Sequence, residues 1–361
     1  MFVDAHTHLE LLALSEVPFH KLISKEEILN FLRELDKKHL VAYGLDYSHE
    51  ITPVDLNSVN YPLLLIYKDG HKGIMNDSMR ELLGKDDCFL YEEDLWQVVD
   101  KLKPKGERLR EFILKGLEKA SNMGISEIHD YVDDKVAEVL FSINPPLRVV
   151  LMPYYSSLDK VLKLFEKFGE RENLRLGWVK VYIDGSISAR TAYLKKPYAD
   201  TESTGKPLIS EDRLVRIIKE LENKGLRVSM HAIGDGAIEL AIRALEKAEP
   251  SLKYHRIEHA EMITEEQIEK VKELNVLLCM QPNFNCYYRD IYFKALGKER
   301  ACRINPIDIV DKIGADLIFG TDMMPFDINY AVECAKKKIP ENKVLYYFGG
   351  WKKDKNYLDL K

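Results

Sequence analysis

The chain is poor in cysteine, and it lacks the features that build membrane or nucleic-acid proteins. Its 361 residues include five cysteines, Cys88, Cys279, Cys286, Cys302 and Cys334. An odd number with no C-x-x-C spacing excludes a fully paired disulfide framework and the usual thiolate metal sites. Reduced thiols in a cytoplasmic protein are the expectation. No apolar run approaches the roughly 20 residues of a membrane span, so no membrane partner is expected. A basic stretch ahead of an apolar segment, the form of a secretory leader, is missing at the N-terminus. A basic excess is missing too. The 53 Lys and Arg stand against 59 Asp and Glu, a net charge of −6, which gives no footprint for nucleic acid. Without a low-complexity linker or a solenoid repeat, one domain over 1–361 is expected. What remains, 46% hydrophobic and 31% charged, suits a globular protein with many solvated helix faces.

The most informative stretch is the first. Phe2-Val3-Asp4-Ala5-His6-Thr7-His8 reads as a short strand ending in two histidines. Residues i and i+2 of a strand share a face, so His6 and His8 project together, as half of a metal site does. A long segment follows, about 9–106. In it, Ser24 to Glu27 has the form of a capping box, and Leu40 to Leu45 and Leu63 to Tyr67 read as strands. Asp69-Gly70-His71 reads as a turn, and 77–103 as helical in part.

From Glu107 helices and strands alternate. The strands are Ile125 to Tyr131, Arg148 to Pro153, Trp178 to Asp184, Arg227 to His231, His255 to His259, Val276 to Gln281 and Asp316 to Thr321. Helices separate them, at about 107–123, 133–142, 157–170, 211–224, 235–248, 264–274 and within 287–313. With the opening strand this makes eight βα repeats, which predict an α/β fold of the (β/α)8 TIM-barrel kind with a long insertion between strands 1 and 2.

In such a barrel the chemistry sits at the C-terminal strand ends. Those ends carry His6 and His8, His129 and Asp130, Lys180 and Asp184, His231, His259, and Asp322. Imidazole and carboxylate suit Zn²⁺ and similar divalent ions. Lys180 is the oddity, because an ammonium among ligands repels a metal and costs heavily to bury. Carboxylated by CO2, it becomes an anion with two oxygens able to bridge two metals. The plainer reading is that Lys180 points outward or pairs with Asp322 or Asp184.

These stretches together resemble the amidohydrolase superfamily of metal-dependent hydrolases, and more narrowly amidohydrolase family 3, the branch that contains N-substituted formamide deformylase. The resemblance rests on Val3 to His8, Lys68 to His71 with Asn76, Val179 to Ser186, Arg190 to Ala192 and Pro197 to Asp200. It continues through His231 to Asp235, His255 to Ala260, Met280 to Pro282 and Gly320 to Asp322. It implies that His6, His8, Lys180 and Asp322 hold one metal and that His231 and His259, with the same Lys180, hold another. One or two Zn²⁺ are implied, with a CO2-derived carbamate on Lys180. Asp322 is implied as the catalytic proton shuttle, and the expected substrate is a small molecule with a non-peptide C–N bond.

His71 and Arg190 are expected as substrate contacts, His71 from a lid-like insertion. Their plainer readings are a turn residue for His71 and an ion pair with Asp200 or Glu202 for Arg190. His129 and Glu92 are left without a role. Relatives carry a small β-sandwich formed by flanking segments. Here five residues precede His6, and 323–361 reads as a helix and a Tyr- and Lys-rich tail, so the sandwich is expected to be missing. The bared flank is left to the tail or to another copy in a homo-oligomer. Alternatives are an esterase, lactonase or phosphoesterase at the same centre, a non-catalytic metal-binding barrel, and a Schiff-base aldolase using Lys180. An adenosine-type deaminase is disfavoured because it has no lysine on strand four.

Overall fold

The computed structural model describes residues 2–350 and divides into two compact units. One joins the residues up to Leu9 with those from Leu114 onward, and the other is Glu10–Ile113. In chain order the strands are β1 (Phe2–Thr7), β2 (Leu40–Leu45), β3 (Leu63–Tyr67), β4 (Lys72–Met75), β5 (Phe89–Tyr91), β6 (Ile125–Val132) and β7 (Arg148–Pro153). There follow β8 (Leu174–Leu176), β9 (Val179–Tyr182), β10 (Val228–Ala232), β11 (Arg256–His259), β12 (Leu277–Met280) and β13 (Leu317–Phe319).

The unit Glu10–Ile113 covers nearly the whole segment expected as an insertion. Its sheet runs β2-β3-β4-β5, parallel between β2 and β3 and antiparallel beyond. All five residues of β3 are buried, because alternate side chains enter opposite apolar clusters. Leu63, Leu65 and Tyr67 join one, and Leu64 and Ile66 the other. A strand covered on both faces reads as a continuous apolar run, which is why β3 is visible in the sequence. β4 and β5 are short, and Gly73 interrupts β4, so periodicity does not find them. Ser24 caps its helix by accepting from Glu27 N–H, but the Glu27 carboxylate bonds Ile23 N–H rather than Ser24, so the expected box is half formed.

In the other unit every strand pair is parallel. One sheet runs β1-β6-β7-β8 and the other β13-β12-β11-β10-β9. The Asp322 N–H donates to the His6 carbonyl at 2.9 Å. Tyr154 and Lys180 form a parallel bridge. Amphipathic helices separate most of the strands, but β8, a three-residue strand not expected from the sequence, runs into β9 across Gly177 and Trp178 with no helix between. In Glu211–Asn223 the buried residues Leu214, Ile217, Ile218 and Leu221 fall at helical spacing.

Two boundaries differ from the sequence pattern. The stretch 178–184 is extended only over β9, since the Asp184 carboxylate turns away to accept the N–H groups of Tyr193, Ile233 and Gly234. The region 287–313 holds two longer helices, Arg289–Ala301 and Ile307–Ile313. Between them Asn305 takes a positive φ of 51°, and Pro306 has no N–H for a continuing helix. At the C-terminus Phe348 packs on Phe2 and Phe319, with ring centroids 6.4 and 5.2 Å apart. The rest of the expected tail, 351–361, lies outside the described residues.

Candidate metal centre

His6, the penultimate residue of β1, is fully buried. Its Nδ1 lies 2.8 Å from Glu258 Oε2, and an ionised carboxylate only accepts, so Nδ1 carries the proton. That leaves Nε2 with a lone pair, and this atom is buried without a hydrogen-bond partner. Asp322 Oδ1 sits 3.5 Å from His6 Nε2 and also 3.5 Å from His8 Nε2. The three donor atoms all lie within 4.8 Å of one another. Burial, helped by the nearby Lys180 and His8, pushes the His6 imidazolium well below the ordinary range. His6 is therefore neutral, the form in which imidazole binds a metal. The second histidine is steered by Tyr154, whose hydroxyl is 3.1 Å from His8 Nδ1.

Asp322 follows β13 in the left-handed region, φ 52°. Its approach to His6 depends on Gly320, where a Cβ would stand 2.5 Å from the His6 backbone nitrogen. Asp4, one pleat before His6, fastens the same seam by accepting from Thr321 N–H at 2.8 Å and Thr321 Oγ1 at 2.6 Å. Burial raises the Asp4 carboxyl to about 6.

His231 is the penultimate residue of β10 and His259 ends β11. Their rings are 4.5 Å apart, and His259 is 4.7 Å from His6. Gln281 Oε1 is 2.8 Å from His259 Nδ1, which again leaves Nε2 as the ligating atom. His259 takes φ 70°, a conformation a non-glycine residue rarely adopts, and this turn re-aims a ring that would otherwise alternate away from Glu258. Lys180 is buried, with Nζ 4.0 Å from the centre of the Tyr131 ring. Tyr131 is itself 4.5 Å from His6, ring to ring. Burial brings the lysine down to about 8 despite the opposing pull of Glu258 and Asp322. The structure thus brings His6, His8 and Asp322 within ligating distance of one another, with the His259 ring against His6 and the His231 ring against His259, and the Lys180 amine over Tyr131.

Beneath them lies a layer that motif reading missed. Glu258 accepts from Ser229 Oγ at 2.6 Å and pairs with Arg256, Nε to Oε1 2.7 Å. Burial pushes Glu258 up, but Arg256, Lys180 and Ser229 outweigh it and hold the carboxylate at about 2. Arg256 also donates to His129 Nδ1 and to the Ala5 carbonyl. His129 is therefore a packed residue of this buried network, with Glu127 3.3 Å from its Nε2. The signal was present in Arg256-Ile257-Glu258, two charges spaced to share one strand face, but only the fold shows that this face is interior.

Three remaining candidates stand as follows. Arg190 makes a two-point ion pair with Asp200 and donates to the Ser188 carbonyl. His71 Nδ1 is 2.7 Å from Glu92 Oε2, within the unit Glu10–Ile113. Asn76 caps the helix Asp77–Leu83, its Oδ1 accepting from Met79 and Leu63 N–H.

Residues 2–331 match the model of a family described as the Amidohydrolase family. Among curated proteins, the chain is 34% identical over 157 residues to the putative amidohydrolase YtcJ of Bacillus subtilis, 43% of this chain and 29% of that protein. The chain thus spans under a third of the length of the curated relatives it matches. Among solved structures, it is similar to an uncharacterized metal-dependent hydrolase from Pyrococcus furiosus. The TM-score is 0.77 at 25% identity, covering 99% of this chain and 83% of that one. A second such hydrolase, from Pyrococcus horikoshii OT3, gives 0.73 at 26% identity over 95% and 76%.

Proposed function

The chain belongs to the amidohydrolase family, and on that premise we propose that it is a divalent-metal hydrolase of a C–N bond in a small non-peptide amide. One observation carries the reading. The buried His6 Nε2, stripped of hydrogen-bond partners, faces His8 and Asp322 within ligating distance of one another. In support of a barrel frame, Asp322 bonds His6 at one edge of the two parallel sheets and Tyr154 bridges Lys180 at another. We read the sheets as one (β/α)8 barrel with the site at its C-terminal strand ends.

His6, His8 and Asp322 would hold one ion, with Zn²⁺ suited to the donor set. His231 and His259 would hold a second, with Lys180 between the two groups. A bound ion supplies Lewis acidity, lowering the pKa of water toward about 7 and polarising a carbonyl. The protein supplies the rest. Glu258 and Gln281 fix which imidazole nitrogen is free. The buried amine of Lys180, partly neutral near pH 8, can attack CO2 through Nζ, losing a proton and forming a carbamate. Asp322 takes the proton of the attacking water and passes it to the leaving nitrogen.

Elemental analysis of the purified protein and assays on a panel of formamides, N-acyl amines and lactones test this. Turnover is expected to vanish on chelation and to return with Zn²⁺. Asp322→Asn is expected to lower kcat by about 100- to 10,000-fold with a smaller change in KM. A near-normal rate in that variant, or turnover indifferent to chelation, would sink the proposal. Lys180→Ala should lose metal and activity together, with partial rescue by acetate or formate.

A further inference from the structure

A second cluster of reactive side chains lies on the helices that follow β12 and β13. Cys286 is on the short helix Phe284–Tyr287, and Cys334 is buried on the helix Ile328–Lys336. The Cys286 thiol is within hydrogen-bonding reach of the Cys334 thiol, which also meets the Tyr330 phenol. Lys337 Nζ is 3.3 Å from Cys286 Sγ. Cys286 and Cys334 line a cavity of about 530 Å³ together with Cys302, Tyr330 and Lys337, so a small solute can reach them. A metal is a poor occupant. Among the described residues, the clusters of three metal-ligating groups all include His6 and none includes this pair.

We propose that Cys286 and Cys334 are a peroxide-reactive thiol pair that closes to a disulfide. The two cysteines have unequal environments. The Lys337 ammonium stands against the Cys286 sulfur, whereas Cys334 is buried. Burial and the neighbouring Cys286 push the Cys334 thiol up to about 12, so it stays protonated. The Cys286 thiolate attacks a peroxide oxygen, the O–O bond breaks, and the departing hydroxide or alkoxide takes a proton. Cys286 is left as a sulfenic acid. The Cys334 sulfur then attacks the Cys286 sulfur. Its thiol proton goes to the leaving hydroxyl, and water departs as the S–S bond forms. Two thiols are oxidised and one peroxide is reduced.

The disulfide has a route to the metal centre. The residues beside Cys286 hold it: Phe284 stacks on His259 at 6.0 Å, and Asn283 donates to the carbonyls of Thr321 and Met324 at 2.8 Å each. A bond from Cys286 to Cys334 straps this segment to the helix that follows Asp322.

The test is titration of the native full-length protein with hydrogen peroxide, followed by alkylation and peptide mapping. A dithiothreitol-reversible Cys286–Cys334 peptide link is expected, with a mass loss of about 2 Da. Cys334→Ser should leave a sulfenic acid on Cys286 that dimedone traps. Lys337→Met should slow the reaction about tenfold or more, because it removes the ammonium 3.3 Å from the reacting sulfur. Cys286 and Cys334 both remaining alkylatable after the exposed Cys302 is fully oxidised would overturn the proposal. A Lys337→Met variant that reacts at the wild-type rate would remove the ammonium from it.

Discussion

The two nitrogens of His6 have separate tasks, and Glu258 separates them. With Nδ1–H given to Glu258, the Nε2 lone pair is set toward Asp322 and His8. Partners behind a metal-binding histidine commonly contribute 10- to 100-fold in affinity, by fixing the ring and its tautomer. Glu258→Gln should therefore weaken metal binding by about 10- to 100-fold, read by chelator competition. An affinity unchanged within twofold would show that His6 is oriented by packing alone. Arg256 is paired to the same carboxylate, so this variant should also unfold at a lower temperature. Arg190 illustrates the opposite outcome. A guanidinium fits a substrate carboxylate and a neighbouring Asp equally well, and the structure shows it on Asp200.

Between elements, the seam of β1 with the end of β13 decides the site. Asp4, Gly320 and Thr321 tie these segments, and none of the three is a proposed ligand. A methyl at Gly320 would press on the His6 backbone at 2.5 Å and on its Cβ at 2.6 Å, and backbone cannot step aside as a flexible side chain can. Gly320→Ala should cost about 1–3 kcal/mol by overpacking, measured by urea unfolding, and should weaken metal binding in parallel. A variant with normal metal affinity would show that the seam tolerates movement without shifting His6. Helix ends are more local. Thr264 and Gln267 form a reciprocal capping box that falls within the helix expected there from sequence.

Across the whole molecule, buried histidines outside the metal centre make stability depend on pH. His255 Nδ1 accepts the Val228 N–H at 3.1 Å, so it must be unprotonated, and Glu222 is 3.6 Å from Nε2. Burial lowers His255 from 6.5 to about 4 against the pull of Glu222. The unfolded chain takes up this proton near pH 6.5 and the folded one near 4, so the contribution is whole above 6.5 and lost as pH falls toward 4. In chelator-treated protein, the melting temperature should drop between pH 6.5 and 4. His255→Asn, which keeps an acceptor for Val228, should flatten that drop. Parallel wild-type and variant curves would assign the pH dependence to other groups.

Local chemistry made much of this legible before any fold was in view. Apolar runs, caps and glycine stops are written in neighbouring residues, so the alternation from Glu107 onward and the residue type at each strand end could be read from the chain alone. Short β4 and β5, and the break before Ile307, carried too little periodic signal. What only the tertiary structure decided was partnership: Glu258 behind His6, Gln281 behind His259, Arg256 on His129, Asp200 on Arg190. Such pairs join residues up to 252 positions apart. No spacing rule reaches across that distance, because it is the packing of strands from distant parts of the chain that sets which polar groups must satisfy one another.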